Sequence, residues 1–277
     1  MWEACYFLDV NGLMENERAL IREMEALLDQ ERLFKYREIR AGKAKALSLG
    51  AGLLLRYALE RWRSCREIVE PGWQEPGWQE LGWQELGWQG SERQEPMQQG
   101  SDGKTSRQQK PERQETCGIR VRSAWELLKE PLMQGLPANP KIAYGAGEAG
   151  KPYFEEIPLC FSISHSGTLA AVAVSEREVG LDVQEVSGIA WEKLARRFFA
   201  KEAWEELLSL KEKDPEMGRD AFFRKWCCRE AAGKLTGEGA MPWLGADDRK
   251  LSEGMIWQEG ELAFGGERYC YALCRKG

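Results

Sequence analysis

Gly180-Leu181-Asp182-Val183-Gln184 and Trp226-Cys227-Cys228-Arg229-Glu230-Ala231-Ala232-Gly233-Lys234 are the stretches on which the reading of this chain turns. The first has the length and apolar character of a short strand. Its polar residues, Asp182 and Gln184, stand two apart and so project from one face. The second has helical spacing: Trp226, Glu230 and Lys234 fall at i, i+4 and i+8, stacking an aromatic ring, a carboxylate and an ammonium along one stripe. Ala231, Ala232 and Gly233 beside that stripe carry almost no side chain, which leaves room for a bulky ligand or another backbone. One carboxylate from a strand and one from a helix suit Mg²⁺, which takes oxygen ligands at about 2.0–2.1 Å and is commonly held by one or two carboxylates while substrate phosphates complete its shell. Asp182 and Glu230 are therefore the candidate metal pair, and Lys234 would face the same phosphates.

Upstream stands Phe161-Ser162-Ile163-Ser164-His165-Ser166-Gly167, which holds the only histidine of the chain. Alone, a histidine between serines in a turn is a structural hydrogen-bonding residue. Beside an Asp/Glu pair, the imidazole and the Ser164 and Ser166 hydroxyls become suitable donors to a diphosphate. The acids also have ordinary explanations: Asp182 could cap a turn or pair with Arg229, and Glu230 with Lys234 could be a helical ion pair worth about 0.2–0.5 kcal/mol. What favours the metal site is the ordered set.

With all three motifs in hand the chain resembles the Sfp-type 4′-phosphopantetheinyl transferases, in which an F-(N/S)-x-S-H-S segment, a G-(I/L/V)-D-(V/I)-(E/Q) strand and a W-x-x-K-E-A-x-x-K helix follow in this order; residues 142–239 carry nearly all of the signal. The resemblance implies an α+β fold of two similar α/β halves around a pseudo-twofold, with the cofactor in the cleft between them. It implies an enzyme that transfers the 4′-phosphopantetheine arm of coenzyme A to a serine of an apo acyl or peptidyl carrier protein, with Mg²⁺, releasing adenosine 3′,5′-bisphosphate. Carried residue by residue, it makes Asp182, Glu230 and Lys234 catalytic, Asp182, Glu230 and Gln184 the metal set, and His165, Ser164, Lys151, Lys234 and Lys45 cofactor contacts. Glu230 is the candidate to take the serine proton, and the nucleophile belongs to the partner, so no Ser-His-Asp triad is needed. Two departures stand out: Gln184 replaces a third acid and brings no charge, and Arg229 replaces a lysine, with different reach and hydrogen-bond geometry. The resemblance also implies a basic residue before Ser48 that clamps the coenzyme 3′-phosphate, for which Lys43 and Lys45 are the alternatives.

Gly145-Ala146-Gly147-Glu148-Ala149-Gly150 satisfies G-x-G-x-x-G, but that fingerprint works only where it opens a helix. Lys151-Pro152 follows at once, and Tyr153-Phe154 reads as strand, so the segment is a glycine-rich turn. In the resembled family this position is a G-x-x-G-K-P turn whose lysine, here Lys151, lies at the cofactor site.

The chain of 277 residues, 43% hydrophobic and 30% charged, is long enough to bury a substantial core. Its net charge of −6 argues against a nucleic-acid partner. No run approaches the roughly 18–20 apolar residues of a membrane span and no leader is evident, so a soluble, cytoplasmic protein is expected, with its eight cysteines reduced. Cys270, Ala272 and Cys274 alternate with Tyr271 and Leu273 as in a half-buried final strand. Basic residues crowd two stretches, Arg32 to Lys45 and Arg196 to Lys225, readable as solvated helix faces or as a basic mouth.

The chain also reads as built twice. Ala4 to Val10 echoes Glu178 to Val183, and Ser48 to Arg56 echoes the Trp226 helix, so halves 1–175 and 176–277 are expected, and with both present a monomer. The first is interrupted over 66–118, where Trp73, Trp78, Trp83 and Trp88 recur every five residues in Gly-Trp-Gln-Glu units. That period aligns on no helix or strand face, and with recurrent Gly and Pro it reads as a disordered insertion. Two other functions fit parts of this pattern: a metal-dependent phosphohydrolase of a small phosphoester, and a non-enzymatic module that binds through the Trp-Gly repeat.

Overall fold

The computed structural model describes residues 3–14, 18–40, 42–67, 121–148 and 150–277. It is a mixed α/β structure. Strand β1 (Glu3–Asp9) leads into helices α1 (Asn11–Met14), α2 (Arg18–Leu27), α3 (Gln30–Glu38) and the long α4 (Lys43–Glu67). After β2 (Val121–Ser123), α5 (Ala124–Leu128) and a 3₁₀ turn come the hairpin β3 (Tyr144–Ala146) and β4 (Pro152–Phe154), then β5 (Cys160–Ser166) and β6 (Leu169–Ser175). The remainder is β7 (Val179–Glu185), α6 (Trp191–Phe198), α7 (Lys201–Lys213), α8 (Pro215–Thr236), α9 (Met241–Leu244), α10 (Asp248–Ser252), β8 (Met255–Phe264) and β9 (Glu267–Lys276). The Trp-Gly repeat lies outside the described residues; Arg66 and Glu67, placed by the sequence reading in the insertion, instead close α4.

Two sheets form the centre, one ordered β2-β1-β6-β5 and the other β7-β9-β8. In each, the first long strand pairs antiparallel with the last, which pairs antiparallel with the one before it: β1-β6-β5 and β7-β9-β8. Helix α4 covers the outer face of the first sheet. There Gly50 lies so close that a Cβ would stand 2.5 Å from Val10 Cγ1. Helix α8 covers the outer face of the second, where a Cβ on Gly180 would meet the Ala231 carbonyl at 2.1 Å. The small residues of both partners, Gly180 on the strand and Ala231 on the helix, are what allow this approach. Of the two occupants the sequence leaves room for beside Ala231 to Gly233, the structure has backbone: β7 on one side and the Gly239-Ala240 segment against Gly233 on the other.

The core follows from this layering. Leu8, Leu53, Leu54 and Val172 fill the space between α4 and the first sheet, and Phe222, Phe223, Cys227 and Ala231 that between α8 and the second. Phe7, Ala171, Leu181, Val183, Tyr271 and Leu273 pack between the sheets. Strand β9 is thus covered on both faces. Cys270, Ala272 and Cys274 face α8 while Tyr271 and Leu273 face the other sheet, so the half-buried strand expected from its alternation is fully buried. The seven cysteines among the described residues are all free thiols.

Helix α8 is bounded by its own chemistry. Asp214 accepts from the Glu216 amide at its N-terminus, Pro215 sits at the first helical position, and Gly237 ends it with φ 77°. The β8–β9 hairpin turns through Gly265 and Gly266, at φ 62° and 88°, which suits a tight two-residue connection. No helix among the described residues is long and apolar enough to cross a membrane.

Candidate active site

Strand β7 and helix α8 present their polar residues to each other. Because Leu181 and Val183 are taken up between the sheets, Gly180, Asp182 and Gln184 turn to the α8 side. Asp182 is almost wholly buried, and its carboxylate is fully partnered: Oδ1 accepts from Lys234 Nζ at 2.8 Å and from Ser164 Oγ at 2.7 Å, and Oδ2 from Gln184 Nε2 at 3.0 Å. Lys234 is 31% exposed in its side chain against 3% for Asp182, so the ammonium lies where a buried anion meets solvent. One turn back on α8, burial pushes the Glu230 carboxyl above its ordinary range and the charge of Asp182 pushes it further, while Lys234 works against both.

This donor set fits a hard divalent cation. Two carboxylates near enough to repel are what such an ion neutralises, and a cation of this kind needs few protein ligands when a phosphate supplies the rest. Gln184 now offers its amide nitrogen to Asp182; turned over, it offers oxygen. Among the described residues no group of three or more His, Cys, Asp and Glu side chains gathers at this site or at any other, so the protein's charged ligands here would be the two carboxylates alone.

The remaining candidates are spread more widely. Ser164 spends its proton on Asp182 and accepts from the Val183 amide at 3.2 Å, so the hydroxyl expected to donate to a diphosphate is engaged within the protein. His165 alternates with Ser164 along β5 and is exposed on the other face. Lys151, from the glycine-rich turn between β3 and β4, reaches across to β7 and α8: it pairs with Glu178 and donates to the carbonyls of Leu235 at 3.0 Å and Val179 at 3.3 Å. It thereby ties the end of α8 to the start of β7. Lys45 of α4 lies over the Tyr36 ring of α3, 4.7 Å from its centroid.

Two features escaped the sequence reading. Arg229, beside Glu230, is wholly buried: it stacks on Phe199, donates to the carbonyls of Lys225, Leu244 and Ala246, and pairs with Asp248 at 2.8 Å. It does not pair with Asp182. Lys225, counted among the residues of a basic mouth, is also buried, held by Asp248 at 2.7 Å and Glu206 at 2.9 Å. The acidic partners of this network lie far along the chain from α8's motif, and no local spacing announces them. The second feature is the engagement of the β5 serines, for which the alternation Ser162, Ser164, Ser166 was the available signal.

The comparisons with known proteins agree with the motif reading. The family model described as the 4′-phosphopantetheinyl transferase superfamily matches residues 178–273. The chain is 36% identical over 123 residues to the 4′-phosphopantetheinyl transferase psf-1 of Bacillus pumilus, covering 44% of this chain and 50% of that protein. It is 41% identical over 109 residues to the 4′-phosphopantetheinyl transferase HetI of Nostoc, covering 37% and 44%. To the 4′-phosphopantetheinyl transferase AcpT of Salmonella typhimurium it is 34% identical over 133 residues, covering 47% and 66%. The match thus spans about half the length of the first of these relatives, and the resemblance drawn from the three motifs is borne out.

Proposed function

We propose, from the match of residues 178–273 to the 4′-phosphopantetheinyl transferase superfamily and from the cluster of Asp182, Glu230 and Lys234, that this protein transfers the 4′-phosphopantetheine arm of coenzyme A to a serine hydroxyl of an apo acyl or peptidyl carrier protein. The observation that carries the proposal is the meeting of a buried strand carboxylate with a lysine and a raised glutamate one helical turn apart. The carrier serine oxygen bonds to the pantetheine-side phosphorus, the bond from that phosphorus to the bridging oxygen breaks, and adenosine 3′,5′-bisphosphate leaves.

Asp182 and Glu230, with the Gln184 amide oxygen, would hold Mg²⁺, which when bound neutralises charge on the pyrophosphate. The rest falls to the chain itself. Lys234 stands at the solvent edge of the site and stabilises phosphate oxygens, and His165 and Lys151 contribute from the first half of the chain. Glu230, its proton affinity raised by burial and by Asp182, takes the serine proton. Ser164 serves the cofactor through Asp182, and Lys45 is the candidate for the 3′-phosphate. Phosphoryl transfer asks mainly for positioning and charge neutralisation, which a buried acid, a half-buried acid and a lysine on a strand and a helix supply.

Halves 1–175 and 176–277 related by a pseudo-twofold, with the cofactor between them, complete this reading, and the like order of β1-β6-β5 and β7-β9-β8 supports them. The protein acts as a monomer in the cytoplasm. Incubation with coenzyme A, Mg²⁺ and a panel of apo carriers, followed by intact mass, tests the proposal. A gain of one phosphopantetheinyl group, lost in Asp182→Asn and Glu230→Gln, is expected. Release of phosphate or nucleotide with no carrier gain would replace the transferase with a phosphohydrolase.

A further inference from the structure

Strand β7 is an edge of its sheet. Its amides at Leu181, Val183 and Glu185 point away from β9, and an open edge of buried amides is costly unless something bonds to it. The neighbour is not a strand ladder. Ser162 Oγ accepts from the Leu181 amide at 2.9 Å, Ser164 Oγ from Val183 at 3.2 Å and Ser166 Oγ from Glu185 at 2.9 Å. Three hydroxyls, two residues apart on β5, thus meet three amides, two residues apart on β7. The serines match in this bond and differ in their second. Among the described residues Ser162 makes no hydrogen bond to a carboxylate, Ser164 donates to Asp182 at 2.7 Å, and Ser166 stands 3.5 Å from Gln184 Oε1, at the outer limit of a hydrogen bond.

We infer that Ser162, Ser164 and Ser166 form a side-chain seam that docks the edge of β7 onto the first sheet, and that Ser164 in addition is a positioning residue that fixes the Asp182 carboxylate. A hydroxyl that receives from a rigid backbone amide has its own orientation set, and the proton it sends to Asp182 then sets that of the carboxylate. The seam stands without any assumption about activity. The consequence for metal binding rests on the function proposed above.

Ser162→Ala and Ser164→Ala remove matching seam bonds and only one of them removes a carboxylate contact, so each controls for the other. Hydrogen exchange of the full chain is expected to quicken at least tenfold at the Leu181 amide in Ser162→Ala and at the Val183 amide in Ser164→Ala. A urea double-mutant cycle with Asp182→Asn is expected to be non-additive for Ser164→Ala and additive for Ser162→Ala. Titration with Mn²⁺ alone, followed by its free-ion resonance, is expected to show binding weakened about tenfold by Ser164→Ala, unchanged by Ser162→Ala and restored by Ser164→Thr. An additive cycle for Ser164→Ala overturns the positioning role, and unchanged exchange at both amides overturns the seam. Failure of the wild type to bind Mn²⁺ would count against the proposed metal chemistry instead, leaving exchange and the cycle to decide the inference.

Discussion

At the scale of single residues the site is in tension with the fold. Glu230 carries a carboxyl whose proton affinity the folded state raises, first by burial and then by Asp182. An acid raised in this way destabilises the fold at pH above its folded value, because the unfolded chain ionises more freely; the penalty disappears as pH falls through the carboxylate range. Glu230→Gln removes it. The metal-free variant is expected to melt a few degrees higher than wild type at pH 7, with the gap closing toward pH 4, while carrier modification is lost. Calorimetry beside the mass assay checks both. Asp182→Asn should behave oppositely, since Asp182 is buried and holds three donors: a loss of about 1–3 kcal/mol in urea unfolding is expected, together with loss of transfer. Two acids with one proposed task would thus be separated by the sign of their stability effect.

At the scale of elements, what matters is how closely β7 can lie on α8. Gly180→Ala puts a methyl 2.1 Å from the Ala231 carbonyl, and backbone must move to admit it. Because Asp182 and Glu230 ride on the two elements being forced apart, activity should fall about 100-fold for a stability loss of only about 1–3 kcal/mol, a disproportion visible when kcat/KM and urea midpoints are compared. The Arg229 network makes a second prediction. Burial pushes Asp248 up, but Lys225 and Arg229 outweigh it and hold the carboxyl below its usual range. An acid lowered in this way adds stability above its unfolded value and loses it as pH falls through the folded one. Asp248→Asn should therefore cost stability at pH 7 and approach wild type at the acid end, which melting across pH 3–7 would show.

Elements also divide what the sequence discloses from what it withholds. Glu230 and Lys234 are readable as neighbours because four residues make one helical turn, and Asp182 and Gln184 because two residues make one pleat. The bond between Lys234 and Asp182 joins separate elements, and only the ordered motifs linked them in advance. Lys225 looked like a surface cation because its partners Glu206 and Asp248 sit on other helices. The serines of β5 were visible as an alternation, but the amides they meet belong to a strand that follows a complete hairpin arm. Full burial of β9 was hidden for a similar reason: Tyr271 and Leu273 are covered by the other sheet, which no property of β9 reveals.

At the scale of the whole molecule the chain leaves α4 after Glu67 and returns at Val121, the start of β2. In the order β2-β1-β6-β5, that return lies on the edge opposite the serine seam, about 14 Å across the sheet at the usual strand spacing. Deleting residues 71–116 is accordingly expected to leave carrier modification within about twofold of wild type, and an inactive deletion that still folds by circular dichroism would assign the Trp-Gly units a part in the reaction. The same geometry offers a practical handle. A fluorophore, an affinity sequence or a second protein spliced between Glu67 and Val121 would rejoin the fold at β2, three strands away from the serines of β5.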